Sequence, residues 1–218
     1  MIKAALILLR EELRNYLAAK GDTTDVILEN IGLLETNDAT NLQQRIVISL
    51  VNIEEESTLK NAKHYLRSGS GVADYSNNPV YLNLYLLFTA NYTGGDSPKN
   101  NYLQALQNLS FVISFFQSRN HFTIGGSQVP QLLSFFNEQD MLYLPDLMDM
   151  KLTIELYTLT FEQINYLWGS LGGRQAPFAM YKARLVMIRD IGKIRAVAAI
   201  EEIDTQLTPQ YPRHANPL

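Results

Sequence analysis

An α+β fold, with a mixed, largely antiparallel β-sheet flanked by helices, is predicted by three observations. First, Val80–Asn91 (VYLNLYLLFTAN) alternates at period two along its whole length. Second, other strand-like runs lie at Asp25–Leu34, Arg45–Glu54, Lys151–Leu159 and Phe178–Arg189. Third, runs with three- and four-residue apolar spacing come before, between and after them. This order lacks the regular strand–helix alternation of a doubly wound sheet.

Val80–Asn91 is the organising strand. Val80, Leu82, Leu84, Leu86, Phe88 and Ala90 form one row, and Tyr81, Asn83, Tyr85, Leu87, Thr89 and Asn91 the other. Rows at period two face opposite sides of a strand. The first row is expected to be buried, with Leu84 inside a sheet–helix layer, and the second to be wetter or covered by a partner. A strand this long and apolar belongs in the middle of a sheet, because at an edge it invites aggregation.

In chain order, Ile2, Leu6, Leu9, Leu13, Tyr16 and Leu17 make an amphipathic helix that stops at Lys20–Gly21. Asp25–Leu34 and Arg45–Glu54 read as strands joined as a hairpin through the polar stretch Thr36–Gln44. Glu54, Glu55 and Glu56 then read as a solvated acidic strand end rather than a cation site, because consecutive residues point in different directions. Ser57–Asn78 is a long extended arm or hairpin carrying the basic run Lys60, Lys63, His64 and Arg67.

Beyond the central strand, Thr93–Ser97 is a turn, and Ser97-Pro98 starts a helix. The stripe Tyr102, Leu106, Leu109, Ile113 and Phe116 is expected to face the sheet through Asn101–Arg119, with Phe111 and Phe115 as extra aromatic surface. His121–Gly126 is extended, and Val129–Met150 has no clear period. Lys151–Leu159 alternates, with Leu152, Ile154 and Leu156 on one side. Thr160 and Gln163 have capping-box spacing for a helix buried through Ile164, Leu167, Trp168 and Leu171 and ended by Gly172-Gly173. Phe178–Arg189 is a strand with Ala179, Tyr181, Ala183, Leu185 and Met187 on one face and Lys182, Arg184, Val186 and Ile188 on the other. Ile194–Ile203 is expected as a short helix. Gln206–Leu218, with three of the eight prolines, reads as a flexible tail after a domain spanning residues 1–205.

Composition narrows the function. The chain has 218 residues, 46% of them hydrophobic, which is enough to bury a full core. A net charge of −4 with 18% charged residues lacks the basic stripe of a nucleic-acid binder. There is no cysteine, which excludes thiol chemistry and disulfides. The apolar run Ala4–Leu9 is too short for a signal peptide, and no segment reaches the roughly 20 apolar residues of a membrane helix. These features predict a cytoplasmic chain that does not span a membrane. His64, His121 and His214 are isolated from other ligand-type residues, Gly94–Ser97 and Gly172–Arg174 lack phosphate-loop spacing, and Glu155 with Glu162 forms no convincing acid–base pair. No catalytic residue, metal or cofactor is expected.

The stretch PVYLNLYLLFTANY, followed by YLQALQNLSFVISFFQ and HFTIGG, resembles the N-terminal domain of the cap, or tail-terminator, proteins of extracellular contractile injection systems. These are antifeeding-prophage-like particles related to contractile phage tails. KLTIELYTLTFEQINYLWGSLGG followed by APFAMYKARLVMI resembles a second block of that family, and the likeness spans roughly residues 1–190. It implies a tail-terminator-like fold and a structural role: a hexameric ring on the distal end of the inner tube and sheath that stops polymerisation. The implied partners are further copies of the chain, the tube protein and the sheath protein, in a particle that is released or anchored. The family implies no enzyme activity. Lys60, Lys63, Arg67, Tyr75, Tyr81, Tyr85, Phe111 and Phe115 are the candidate interface residues, since surplus aromatic and basic surface fits a subunit contact. A baseplate or adaptor subunit is the alternative, and a small-molecule-binding α+β domain a more distant one.

Overall fold

The computed structural model describes residues 1–35, 42–59, 65–68, 72–76, 79–92, 98–127, 132–172, 175–188 and 193–198. The chain forms α1 (Ile2–Ala19), β1 (Asp25–Leu28), a 3-10 turn (Ile31–Glu35), β2 (Arg45–Glu55), a second 3-10 turn (Ser57–Leu59), β3 (Tyr65–Ser68), β4 (Val72–Ser76) and β5 (Val80–Asn91). It continues through α2 (Pro98–Ser118), β6 (His121–Thr123), a 3-10 turn (Leu132–Phe135), α3 (Glu138–Met141), α4 (Leu144–Met148), β7 (Lys151–Leu156), α5 (Phe161–Ser170), β8 (Phe178–Ile188) and β9 (Lys193–Ala198).

By their internal contacts these elements form two compact units. The first, Met1–Ala62 with Pro79–Arg189, holds a six-stranded sheet in the order β1-β2-β5-β8-β7-β6. The second, Lys63–Asn78 with Asp190–Leu218, holds a three-stranded antiparallel sheet in the order β3-β4-β9.

The organising strand β5 is third of six, so its central placement holds. Leu84, Leu86, Phe88 and Ala90 are buried. The first three pack in a core with α1 and α2, where the Phe88 ring meets Phe116 and Tyr181 edge-on at 5.1 and 5.5 Å. The other face is also covered: Leu87 joins Val47, Met180 and Trp168 of α5 in a second core, and Thr89 and Asn91 are buried. The expectation of a wetter second face is therefore corrected. A sheet sandwiched on both faces explains why β5 is apolar nearly throughout. At its start the strand runs out of cover, and Val80 is exposed.

Local chemistry explains the element ends. At the end of α1, Gly21 adopts φ +76°, and the Gly21 and Asp22 N–H groups donate back to Ala18 and Leu17. This is the glycine-capped stop read from the sequence. Thr160 and Gln163 form the expected capping box, the Gln163 N–H reaching Thr160 Oγ1 and the Thr160 N–H reaching Gln163 Oε1. Trp168 is the buried anchor of α5, and Gly172 follows the helix at φ +97°.

Several expectations are corrected. The first two strands do not form a hairpin: β1 pairs with β2 in parallel, Asp25 opposite Arg45 through Leu28 opposite Ile48. The run expected to be extended to Leu34 leaves the sheet after Leu28 because Ser49 captures it. The Ser49 hydroxyl donates to the Glu29 carbonyl at 2.6 Å and accepts from the Ile31 N–H at 3.0 Å, and the chain winds a 3-10 turn that buries Ile31 in the second core. Residues 36–41 of the expected turn lie outside the described residues.

On α2 the buried row is Ala105, Asn108, Val112, Phe115 and Phe116. Tyr102, Leu103, Leu106 and Ile113 are exposed, so the predicted stripe was rotated. On β8, two residues, Arg184 and Leu185, stand between the partners of Leu84 and Leu82, opposite Asn83 alone. This bulge carries Val186 to the same core as Ala183 and Tyr181, against the alternation expected from the sequence. The strand after Lys151 ends at Leu156, which is exposed.

Over its described part, residues 194–198, the expected helix Ile194–Ile203 is instead strand β9, which pairs with β4 from Val72 opposite Ala198 to Ser76 opposite Lys193, and residues 199–203 lie outside the described residues. Pairing to a neighbouring strand overrides a short helical pattern. Residues 57–78 do contain a hairpin, β3 with β4. Val129–Met150 resolves into short helical turns over its described residues. The turn at 93–97, His64, His214 and the tail 206–218 lie outside the described residues.

Candidate interaction surface

Among the candidate interface residues, Tyr85 sits in the best-defined environment. Strand β2 brings Glu54 beside it, β8 brings Lys182, and Tyr157 comes from just beyond β7. The Tyr85 hydroxyl donates to Glu54 Oε2 at 2.6 Å, and Lys182 Nζ reaches the same oxygen at 3.3 Å while lying 5.3 Å from the Tyr85 ring centre. Tyr157 meets that ring edge-on at 5.0 Å. Next to this group, the Asn83 amide donates to Glu56 Oε2 at 3.1 Å, and Arg184 bridges to Glu155 at 3.4 Å and Glu56 at 3.8 Å.

The electrostatics follow. The Tyr85 hydrogen bond, then Lys182, hold the Glu54 carboxyl below its usual range. The Asn83 amide, then Thr58, pull Glu56 down to about 2. The bond to Glu54, then burial, raise Tyr85. Burial works to lower Lys182, but its bonds to Tyr85 and Glu54 outweigh that and raise it. Each shift favours the form already present at neutral pH, so the cluster is a fixed pattern of charge and not a proton relay. The acidic strand end is thus pinned by partners as well as solvated. Among the described residues no group of three His, Cys, Asp or Glu side chains is placed to hold a metal ion.

The other candidates do not gather around Tyr85. Tyr81 is half-buried, and its carbonyl accepts from the Glu56 N–H at 2.8 Å. Phe111 is half-buried and borders a separate polar cleft of about 740 Å³ that includes Asp22, Arg45 and Gln107. Phe115 is buried, 4% exposed, with its ring against Tyr16, Phe116 and Phe122. Its aromatic surface is spent inside the first core, so it leaves the set of surface candidates. Arg67 lies opposite Ala73 and Tyr75 opposite Tyr65, both in the sheet of the second unit. Lys60 and Lys63 lie outside the described residues. His121 is exposed and shares a hydrogen bond with Thr153, and Glu155 and Glu162 each have a partner of their own, Arg184 and Tyr166.

The sequence reading missed the exposed apolar residues Tyr102, Leu103, Leu106 and Ile113 on α2 and Phe161 and Tyr166 on α5. The signal for the first four was Asn108, a polar residue on the true inward row. It also missed a cleft of about 1060 Å³ beside β2, with Tyr85 and Tyr157 in one wall. No helix among the described residues is long and apolar enough to cross a membrane.

The solved sheath/tube terminator of an extracellular contractile injection system, PVC, in its extended state, shares this fold with a TM-score of 0.58 at 14% identity. The match covers 97% of this chain and 64% of that one. The tube-terminating cap of the anti-feeding prophage matches with the same TM-score and identity, over 92% of this chain and 59% of that one. The chain therefore spans about three fifths of the length of these structural relatives. No curated protein matches it. The Pvc16 N-terminal domain family matches residues 7–198, and the chain belongs to that family.

Proposed function

We propose that the chain acts as a structural tail terminator. It caps the distal end of the inner tube and sheath of a contractile injection system, as a closed six-membered ring, and stops their polymerisation. The observation that carries this reading is the family match over residues 7–198, joined to a fold shared with two terminator caps. The physical logic agrees. An open tube end is a ring of unsatisfied subunit surfaces, and a terminator matches that ring on one side while offering no matching surface on the other. Exposed apolar residues on α2 and α5, with Tyr81, Tyr85 and Phe111, supply surface for such contacts. Lys60, Lys63, Arg67 and Tyr75 are further candidate contact residues. The function is assembly and not catalysis, in a particle built inside the cell.

The test is deletion of this protein from a producing strain, with particles measured by electron microscopy. Tubes and sheaths of irregular length, or none that persist, are expected. Particles of normal, uniform length that still contract would refute the reading.

A further inference from the structure

The outer edge of β2 loses its partner halfway along. β1 ends at Leu28, opposite Ile48, and one more backbone bond, from the Glu29 N–H to the Ile48 carbonyl, closes that ladder. β2 continues to Glu55 against β5 on its other side. From Leu50 to Glu55, among the described residues, the outer edge faces no strand. This stretch is roughly 20 Å long at the usual rise per residue.

Such an edge is a template for another chain. It contains no proline and no lysine, and Leu50 and Ile53 are 37% and 45% exposed. The bulge at Val51 adds twist without covering it. The edge opens into the cleft of about 1060 Å³, whose walls come from both faces of the sheet. Leu6 and Leu28 belong to the first core, and Leu159, Leu167 and Leu171 to the second. A strand laid along β2 therefore meets apolar surface with both of its rows. That is the setting of an inner strand, apolar on both faces.

The charge selects the occupant. The charged residues lining the cleft are Glu29 and Glu54, with no Lys, Arg or His among the lining residues, and Glu54 shares its charge with Lys182 of β8 at 3.3 Å. Like charges set opposite each other destabilise a strand pair, so the edge disfavours its own copy and favours a cationic strand.

We propose that this cleft binds an extended segment of another polypeptide, apolar on both rows and carrying Lys or Arg, which adds a strand to β2 along Leu50–Glu55. The inference rests on the edge and its cleft, and stands or falls separately from the terminator reading.

The test uses the whole chain and a fluorescein-labelled, end-blocked peptide of sequence Lys-Val-Leu-Val-Ile-Lys, read by fluorescence anisotropy. Saturable binding is expected, weakened about tenfold or more when alternate peptide nitrogens are methylated or both lysines are replaced by glutamate. The double substitution Glu29→Lys with Glu54→Gln should weaken it similarly, with an unchanged circular dichroism spectrum. Amide exchange should slow at Leu50–Glu55 when the peptide is bound. No saturable binding overturns the proposal, as does binding indifferent to backbone methylation. Concentration-dependent self-association through the same amides, without peptide binding, assigns the edge to a second copy and also overturns it.

Discussion

Asn108 of α2 donates from its side-chain amide to Thr24 Oγ1 at 3.0 Å, tying the helix to the loop before β1. The same amide donates to the Tyr92 hydroxyl, which itself shares a 2.9 Å bond with Thr24. Asn108 is fully buried, and Gln104 donates to its carbonyl. This polar group fixes which row of α2 faces the sheet. Asn108→Ala removes all three bonds and should cost about 1–2 kcal/mol in urea denaturation. Ser110→Ala, on the exposed side, is the control; equal midpoints for the two would remove this role from Asn108.

The central strand gives the second prediction. Leu84→Asp places an unpaired carboxylate in the first core and should prevent folding. Asn83→Asp, on the face expected to be the wetter one, is not mild. Asn83 is 2% exposed, and its amide is the donor to Glu56, so a carboxylate there sets two acceptors against each other. A loss of about 1–3 kcal/mol is expected. Wild-type melting of the Asn83→Asp protein would contradict the buried amide–carboxylate bond.

Acid should loosen this corner of the sheet. Glu56 falls on folding from the ordinary 4.5 to about 2. A carboxyl lowered in this way contributes stability that is fully present above about 4.5 and is lost as pH falls toward 2. Melting temperature followed through that window should drop more steeply for the wild type than for Glu56→Gln. Parallel curves would show that the Asn83 and Thr58 bonds do not hold the carboxylate.

Most strands and the main helices were legible because their residues obey one period and carry their own stops. Gly21 ends α1 and the Thr160–Gln163 box opens α5 without help from the rest of the chain. The errors arose where a distant residue overrides the local pattern. Ser49 pulls the Ile31 segment out of an apolar run that looks extended, and one bulged pair opposite Asn83 changes the facing of β8. Asn108 rotates α2 because its partners, Thr24 and Tyr92, are remote in sequence. The interaction surface was less legible for the same reason. An aromatic residue reads alike whether it fills a core or faces a partner, and among the described residues the edge of β2 is open only because β1 is short.

Phe111 and Phe115 make that ambiguity measurable. They lie one helical turn apart on α2 and look equivalent in sequence. Phe115 packs its ring 5.2 Å from Tyr16, 4.9 Å from Phe116 and 5.5 Å from Phe122, and is nearly sealed from water. Phe115→Ala should open a cavity and cost about 3–5 kcal/mol. Phe111 is half-buried beside the polar cleft at Asp22 and Gln107, and Phe111→Ala should cost nearer to about 1 kcal/mol. Chemical denaturation separates the two variants on folding, and their recovery in purified particles separates them on assembly. Phe111→Ala should fold well and be recovered poorly, whereas Phe115→Ala should be lost in proportion to its instability. A Phe115→Ala protein that folds like the wild type but fails to enter particles would return that ring to the interface. It would also show that the first core tolerates the gap its removal leaves.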